Sequence, residues 1–206
     1  MSALRTFLRD ERGASAAEFV LVLPVLALFV FGVINVGWFA WKINLMEKAV
    51  QAGARYAVAT SPVASGLVTE SYVNKDVNGV TLRQGDRIPA EALGTVSCTS
   101  TVCMCPQTFG LQSCAHSGSG ANDPFGRMVT RMQVYDPSVQ AANVTIEYVG
   151  SGLGYAGDPS GMEIAPLVTV RLTGLTTRLT GFLPALRLPT VSASLTMEDG
   201  DGTRSN

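Results

Sequence analysis

The chain has 206 residues, of which 47% are hydrophobic and only 15% are charged. Soluble domains carry about 25% charged residues, so an apolar segment must account for the low value. The formal net charge is −1, which gives no long-range field to attract nucleic acid. These values argue against a nucleic-acid-binding protein, and the many Val, Leu and Ile residues argue against a disordered chain.

An uncharged apolar run extends from residue 19 to residue 41. About 20 helical residues cross the ~30 Å hydrocarbon layer, so this run predicts a transmembrane span with the lipid bilayer as its partner. Trp38 and Trp41 stand at its far end, where amphipathic rings favour the headgroup level, and Lys42 marks the return to water. Asn35, inside the span, either bonds its own backbone or reaches a neighbouring helix.

The flanks of the span predict its orientation. Arg5, Arg9 and Arg12 all precede it, so the positive-inside rule keeps the N-terminus cytoplasmic and exports the C-terminal part. A cleaved secretory signal has a shorter apolar region, of roughly 7 to 15 residues. A plain signal anchor leaves Glu18 unexplained, because a carboxylate at the edge of the hydrocarbon costs about 2 to 3 kcal/mol unless it is paired.

The residues around Glu18 resemble the processing site of type IV prepilins. There a membrane peptidase cuts after a glycine and leaves a glutamate as the fifth residue of the mature chain. Cutting between Gly13 and Ala14 places Glu18 at that position, directly before Phe19, where the apolar run begins. The resemblance implies that Glu18 meets the N-terminal amine of a neighbouring subunit, which offsets the desolvation of both charges.

A wider stretch, residues 9–57, resembles the TadE-like proteins, minor pilin-like components of the tight-adherence (Tad, or Flp) pilus system. The matching features are RGAxAxEF at residues 12–19, LVLP at 21–24, Phe31-Gly32 and AGARYA at 52–57. The resemblance implies a protein of the bacterial inner membrane with a type IV pilin-like fold. Its implied partners are the prepilin peptidase, other Tad pilins and an inner-membrane assembly platform.

The predicted fold class is α+β, with the long helix packed on a small, mostly antiparallel sheet. Apolar or small residues at spacings of three or four continue the helix past the span until Ser61-Pro62 ends it. We therefore predict a leader at 1–13, a helix at 14–60 and an exported β-rich domain at 61–206. The β-branched segments that predict strands are 68–72, 79–82, 128–134, 144–149, 167–172 and 191–197. Residues 175–190 are predicted as an apolar turn or short helix.

Four cysteines lie in the predicted loop 98–114: Cys98, Cys103, Cys105 and Cys114. In an exported domain they predict two disulfides, with Cys98 joined to Cys103 or Cys105 and Cys114 joined to the other, because a ring closed by Cys103 and Cys105 is strained. The alternative is a metal site with four thiolates, or with three thiolates and His116. Only the first pair of cysteines has the spacing of a metal knuckle, so no metal or cofactor is predicted.

Catalytic motifs are missing from the sequence. His116 is the single histidine, and neither a nucleophile motif nor a phosphate-binding motif is present. Turn chemistry explains the scattered carboxylates that stand next to Pro or Gly, which are Asp123, Asp136, Asp158 and Asp199. The leading hypothesis is therefore a non-enzymatic minor pilin or pseudopilin cut after Gly13. The alternatives are a signal-anchored periplasmic binding protein that is not cut, and a membrane-tethered metalloenzyme that depends on the cysteine cluster.

Overall fold

The computed structural model describes residues 14–106, 114–118, 120, 122–159, 161–179 and 184–197. The predicted leader, 1–13, lies outside these residues. The chain divides into two compact units. The first unit contains the chain up to Lys42 together with the later segment Thr177–Leu186. The second unit contains Ile43–Thr176 and the chain from Arg187 onward. A long N-terminal helix followed by a small antiparallel sheet confirms the predicted α+β class.

Helix α1, Ala14–Val58, is 45 residues long. Ala, Leu and Val are its most frequent residues. The helix continues through Pro24, which removes one backbone hydrogen bond. The helix ends slightly before the predicted residue 60. There the Thr60 hydroxyl donates to the carbonyl oxygen of Tyr56 at 2.8 Å, which satisfies one of the last carbonyls of the helix.

The strands of the described residues are β1 Asp76–Val77, β2 Val80–Thr81, β3 Thr95–Cys98, β4 Cys103–Met104, β5 Val144–Val149, β6 Leu167–Leu172, β7 Thr176–Thr177, β8 Leu186–Arg187 and β9 Val191–Thr196. The principal sheet has five antiparallel strands in the order β4-β3-β5-β6-β9. β1 pairs with β2 and β7 pairs with β8 in two smaller sheets. The predicted strands at 144–149 and 167–172 match β5 and β6, and the predicted strand at 191–197 is one residue longer than β9.

The prediction of a strand at 128–134 is wrong, because this segment belongs to helix α3, Pro124–Gln133. Pro124 occupies the first turn, where a missing N–H costs nothing. The side chains that the helix buries recur at the helical spacing: Phe125, Met128, Val129 and Met132. This spacing outweighs the β-branched residues that suggested a strand.

Two other strand predictions need correction. The start of 68–72 lies in the short helix α2, Gly66–Thr69, and no strand follows it there. The strand predicted at 79–82 is shorter in the structure, where only β2 is extended, and β2 forms a hairpin with β1. Asn78 and Gly79 connect the two with φ angles of 54° and 80°, as a two-residue turn of the Asn-Gly type requires. In 175–190, the described residues contain β7 and β8 and no helix.

The second half of α1 forms one wall of the core of the second unit. Met46, Ala49 and Ala54 are fully buried. Gly53 shows how close the packing is: a Cβ atom there would lie 2.9 Å from Sδ of Met132 on α3 and 3.4 Å from Cγ1 of Val170 on β6. Since real Cβ contacts are longer than the first of these distances, glycine is the residue that lets the three elements meet.

Side-chain hydrogen bonds to the backbone fasten the long loops of the second unit. The carboxylate of Glu163 accepts from the backbone N–H of Tyr72 at 2.7 Å, and Arg87 donates through Nε to the carbonyl of Gly152 at 2.7 Å. Lys75 forms an ion pair with Glu70 and lies 5.0 Å from the ring centre of Tyr72. Desolvation lowers the pKa of Lys75, and the negative charge of Glu163 opposes that change.

Tyr148 joins the sheet to the segment that leaves α1. It lies on β5 with its side chain fully buried, and its hydroxyl oxygen accepts from the backbone N–H of Val63 at 2.9 Å. Burial raises the pKa of Tyr148 above its usual value, and the hydrogen bond from Val63 opposes this effect. The phenol therefore stays neutral and serves as a buried acceptor.

Tyr148→Phe is expected to destabilise the second unit by about 1 to 3 kcal/mol, because the buried N–H of Val63 loses its acceptor. The measurement is thermal unfolding of the detergent-solubilised full chain, followed by near-ultraviolet circular dichroism. Tyr155→Phe is the matched control, since Tyr155 is 55% exposed, and its effect should stay within about 0.5 kcal/mol. Equal melting curves for the two variants would contradict the role given to Tyr148.

Candidate functional site

The N-terminal half of α1 exposes apolar side chains on every side. Between Phe19 and Val36 the large apolar residues are 46–75% exposed. A helix that is hydrophobic all round belongs in a protein core or in a membrane, and here no core covers it. Within the described part of the chain, Glu18–Val58 is the one helix long and apolar enough to cross a membrane.

Glu18 lies at the start of this apolar surface. It is exposed, and the ring of the adjacent Phe19 is 62% exposed. Ala14 is the first described residue, and Gly13, on the other side of the predicted cleavage point, lies outside the described residues. Positions 14 and 18 are one helical turn apart, or about 6 Å along the axis. The carboxylate is thus open to a partner from another molecule.

The predicted interface residues lie together at the other end of the span. Trp38 and Trp41 are each 50% exposed, and their ring centres are 4.8 Å apart. The indole Nε1 of Trp38 donates to the hydroxyl oxygen of Thr177 at 3.2 Å. Lys42 is partly buried. Sequence reasoning missed Thr177, because nothing local to it signals contact with a residue so far away in the chain.

Asn35 is covered although it lies within the apolar span. It is 6% exposed, whereas the adjacent Ile34 and Val36 are 51% and 69% exposed. A polar side chain in hydrocarbon is costly unless it is shielded and bonded, so this burial is energetically favourable in a membrane. Asn35 and Trp38 are three positions apart, which places them on the same side of the helix.

The four cysteines form two disulfides, and their pairing is one of the two schemes that the sequence predicted. Cys98 is bonded to Cys103, its direct partner in the β3–β4 ladder, with the Cα atoms 4.0 Å apart. Cys105 is bonded to Cys114, with a Cα separation of 6.0 Å. Sulfur atoms in disulfides do not act as thiolate ligands. In the described ranges, no group of three or more His, Cys, Asp or Glu residues is arranged to hold a metal ion.

His116 fastens the stapled loop through both ring nitrogens. Nε2 donates to the carbonyl oxygen of Thr99 at 2.9 Å, and Nδ1 accepts from the backbone N–H of Gly118 at 3.1 Å. Because a carbonyl only accepts and an N–H only donates, the ring is the neutral tautomer with its proton on Nε2. His116 also forms a β-bridge with Ala64, just after α1. His116 therefore stabilises the fold by connecting these segments.

Cyanogen bromide cleavage tests the disulfide pairing, because Met104 stands between Cys103 and Cys105. With the pairing described, cleavage of the unreduced protein releases residues 47–104 and 105–128 as separate fragments. Either other pairing of the four cysteines keeps these fragments linked until a reductant is added. Mass spectrometry of the unreduced digest distinguishes the cases, and a linked pair would refute the pairing.

Comparison with known proteins agrees with the N-terminal geometry. No curated protein and no solved structure matches the chain. The model of one protein family, described as TadE-like protein, matches residues 13–55. That range contains Glu18, the apolar span, both tryptophans and Gly53. The chain thus carries the TadE-like segment at residues 13–55, as its sequence predicted.

Proposed function

We propose that this protein is a minor pilin or pseudopilin of a Tad/Flp-type pilus system, anchored in the bacterial inner membrane by α1. The observation that carries the proposal is the helix surface itself, which is apolar on all sides and begins with the exposed Glu18. Such a surface suits both the lipid before assembly and other pilin helices after it. The TadE-like match covers this same segment.

The proposed orientation places the N-terminus in the cytoplasm and the second unit outside. Three arginines precede the span, and two disulfides lie in the second unit. Disulfides persist in oxidising compartments such as the periplasm, so both features favour export of the C-terminal part.

Cleavage after Gly13 gives Glu18 a natural partner. The new amine of Ala14 would lie about 6 Å from Glu18 along the axis of its own helix. A neighbouring helix displaced by about that distance brings its amine level with the carboxylate. The resulting ion pair offsets the cost of placing either charge among apolar helices. Removing it leaves a buried charge without compensation.

A structural role, without catalysis, is proposed for the second unit. The cysteines are held in disulfides, and both nitrogens of His116 are bonded to the backbone. The cysteines and His116 therefore stabilise the fold. A hydrolase or metalloenzyme would instead need unbonded thiols or an unbonded imidazole for catalysis or metal binding. The proposed partners are the prepilin peptidase, other Tad pilins and the inner-membrane assembly platform.

N-terminal sequencing of the protein extracted from bacterial membranes tests the processing step. We expect a mature chain that begins at Ala14 when the prepilin peptidase is present. Gly13→Trp should abolish the cut, because a bulky side chain prevents the extended backbone from approaching the peptidase. Gly37→Trp is the control and should be cut normally. A wild-type chain that retains Arg12 and Gly13 would favour a signal-anchored binding protein.

Glu18→Gln tests the assembly step separately. The variant should insert into the membrane and be processed, yet its co-isolation with other Tad pilins should fall by about tenfold or more, because breaking a buried ion pair costs about 3 kcal/mol. Glu47→Gln, an exposed carboxylate on the same helix, should leave co-isolation unchanged. Normal recovery of pilins by the Glu18 variant would refute the proposed ion pair.

A further inference from the structure

We propose that a hairpin in the C-terminal part of the chain is a second membrane contact, which binds anionic lipid headgroups beside the span. The contact is built from the described residues 177–179 and 184–186, which all belong to the first unit and are called the interface hairpin below. This inference rests on the proposed anchoring of α1 in a bilayer. It adds a lipid-binding surface outside the TadE-like segment.

The position of the hairpin is fixed within the first unit. Thr177–Leu186 belongs to the same compact unit as the part of the helix that ends at Lys42, and the chain on either side of it belongs to the second unit. The hydroxyl of Thr177 accepts the hydrogen bond from Trp38 at 3.2 Å. Since Trp38 marks the headgroup level, the hairpin begins at that level.

The exposed chemistry of the hairpin suits an anionic lipid surface. Pro184, Ala185 and Leu186 are exposed, with Leu186 at 44%, and they offer apolar area to the upper acyl chains. Arg178 is exposed next to Thr177. Guanidinium groups bind phosphate oxygens through paired hydrogen bonds, and a basic residue near an anionic membrane is attracted to its surface.

The positive charge of the hairpin favours an anionic lipid over another pilin as its binding partner. The hairpin presents the exposed Arg178 and, in its described residues, no carboxylate. A bilayer with phosphatidylglycerol supplies the complementary phosphates at the level of Trp38. Contact through a second protein would instead require other pilins to be present, which a purified system excludes.

The test uses the full chain in liposomes, with a nitrobenzoxadiazole label on one introduced cysteine. All four native cysteines are in disulfides, so the label reports a single position. Leu186→Cys probes the hairpin, Val80→Cys is the control at an exposed residue of the second unit, and Ile34→Cys probes the span. Nitroxide lipids carrying the quencher near the headgroup or near the chain centre measure depth.

We expect the label at Ile34, about 6 Å below the level of Trp38, to be quenched by both nitroxide lipids, which verifies anchoring. The label at Leu186 should be quenched from the headgroup region at least about twofold more than the label at Val80. Phosphatidylglycerol should strengthen the quenching at Leu186 relative to phosphatidylcholine alone, and Arg178→Gln should reduce this gain.

Three results would overturn the inference, and they are distinguishable. Quenching at Ile34 with equal quenching at Leu186 and Val80 would leave the anchor intact and refute the hairpin contact. Quenching at Leu186 that ignores phosphatidylglycerol would refute the anionic headgroup as its ligand. Absence of quenching at Ile34 would refute the anchoring itself, and the hairpin proposal with it.

Discussion

The structure depends on one constraint, the burial of apolar surface along α1 by two different means. Between Phe19 and Val36 the protein leaves large apolar side chains exposed, so their surface must be taken up by lipid or by other helices. From Met46 onward the same helix is buried by its own chain, and Gly53 brings it against Met132 and Val170. The N-terminal half of α1 thus needs lipid or other helices to cover its apolar surface, whereas its C-terminal half packs against the core of its own chain.

The second unit compensates for its limited regular structure with specific polar bonds. Long loops bury few apolar residues in a regular pattern, so their order depends on satisfied backbone groups. Tyr148 accepts from Val63, Glu163 accepts from the backbone of Tyr72, and His116 is bonded at both nitrogens. The first two bonds join residues that are 85 and 91 positions apart in the chain, and the two disulfides and His116 stabilise a single loop region. These bonds give the surface of the second unit a fixed shape.

Sequence reasoning succeeded where the signal was local and periodic. The uncharged run, the TadE-like motif around Glu18, and the alternating strands β5 and β6 could all be predicted. It failed for α3, because Val129 and Thr130 suggested a strand and the helical spacing of the buried residues was overlooked. The bond between Trp38 and Thr177 and the burial of Asn35 depend on tertiary contacts, for which the sequence carries no local pattern. The disulfide pairing was narrowed by geometry but not determined.

The strand order of the sheet also follows the order of the chain. β4 pairs with β3, β5 with β3, β6 with β5 and β9 with β6, so every strand after β3 finds a neighbour that precedes it in the chain. The helical wall comes before all of them. The sheet can therefore grow in the order in which its segments are synthesised, because each strand after β3 can pair at once with a strand that already exists.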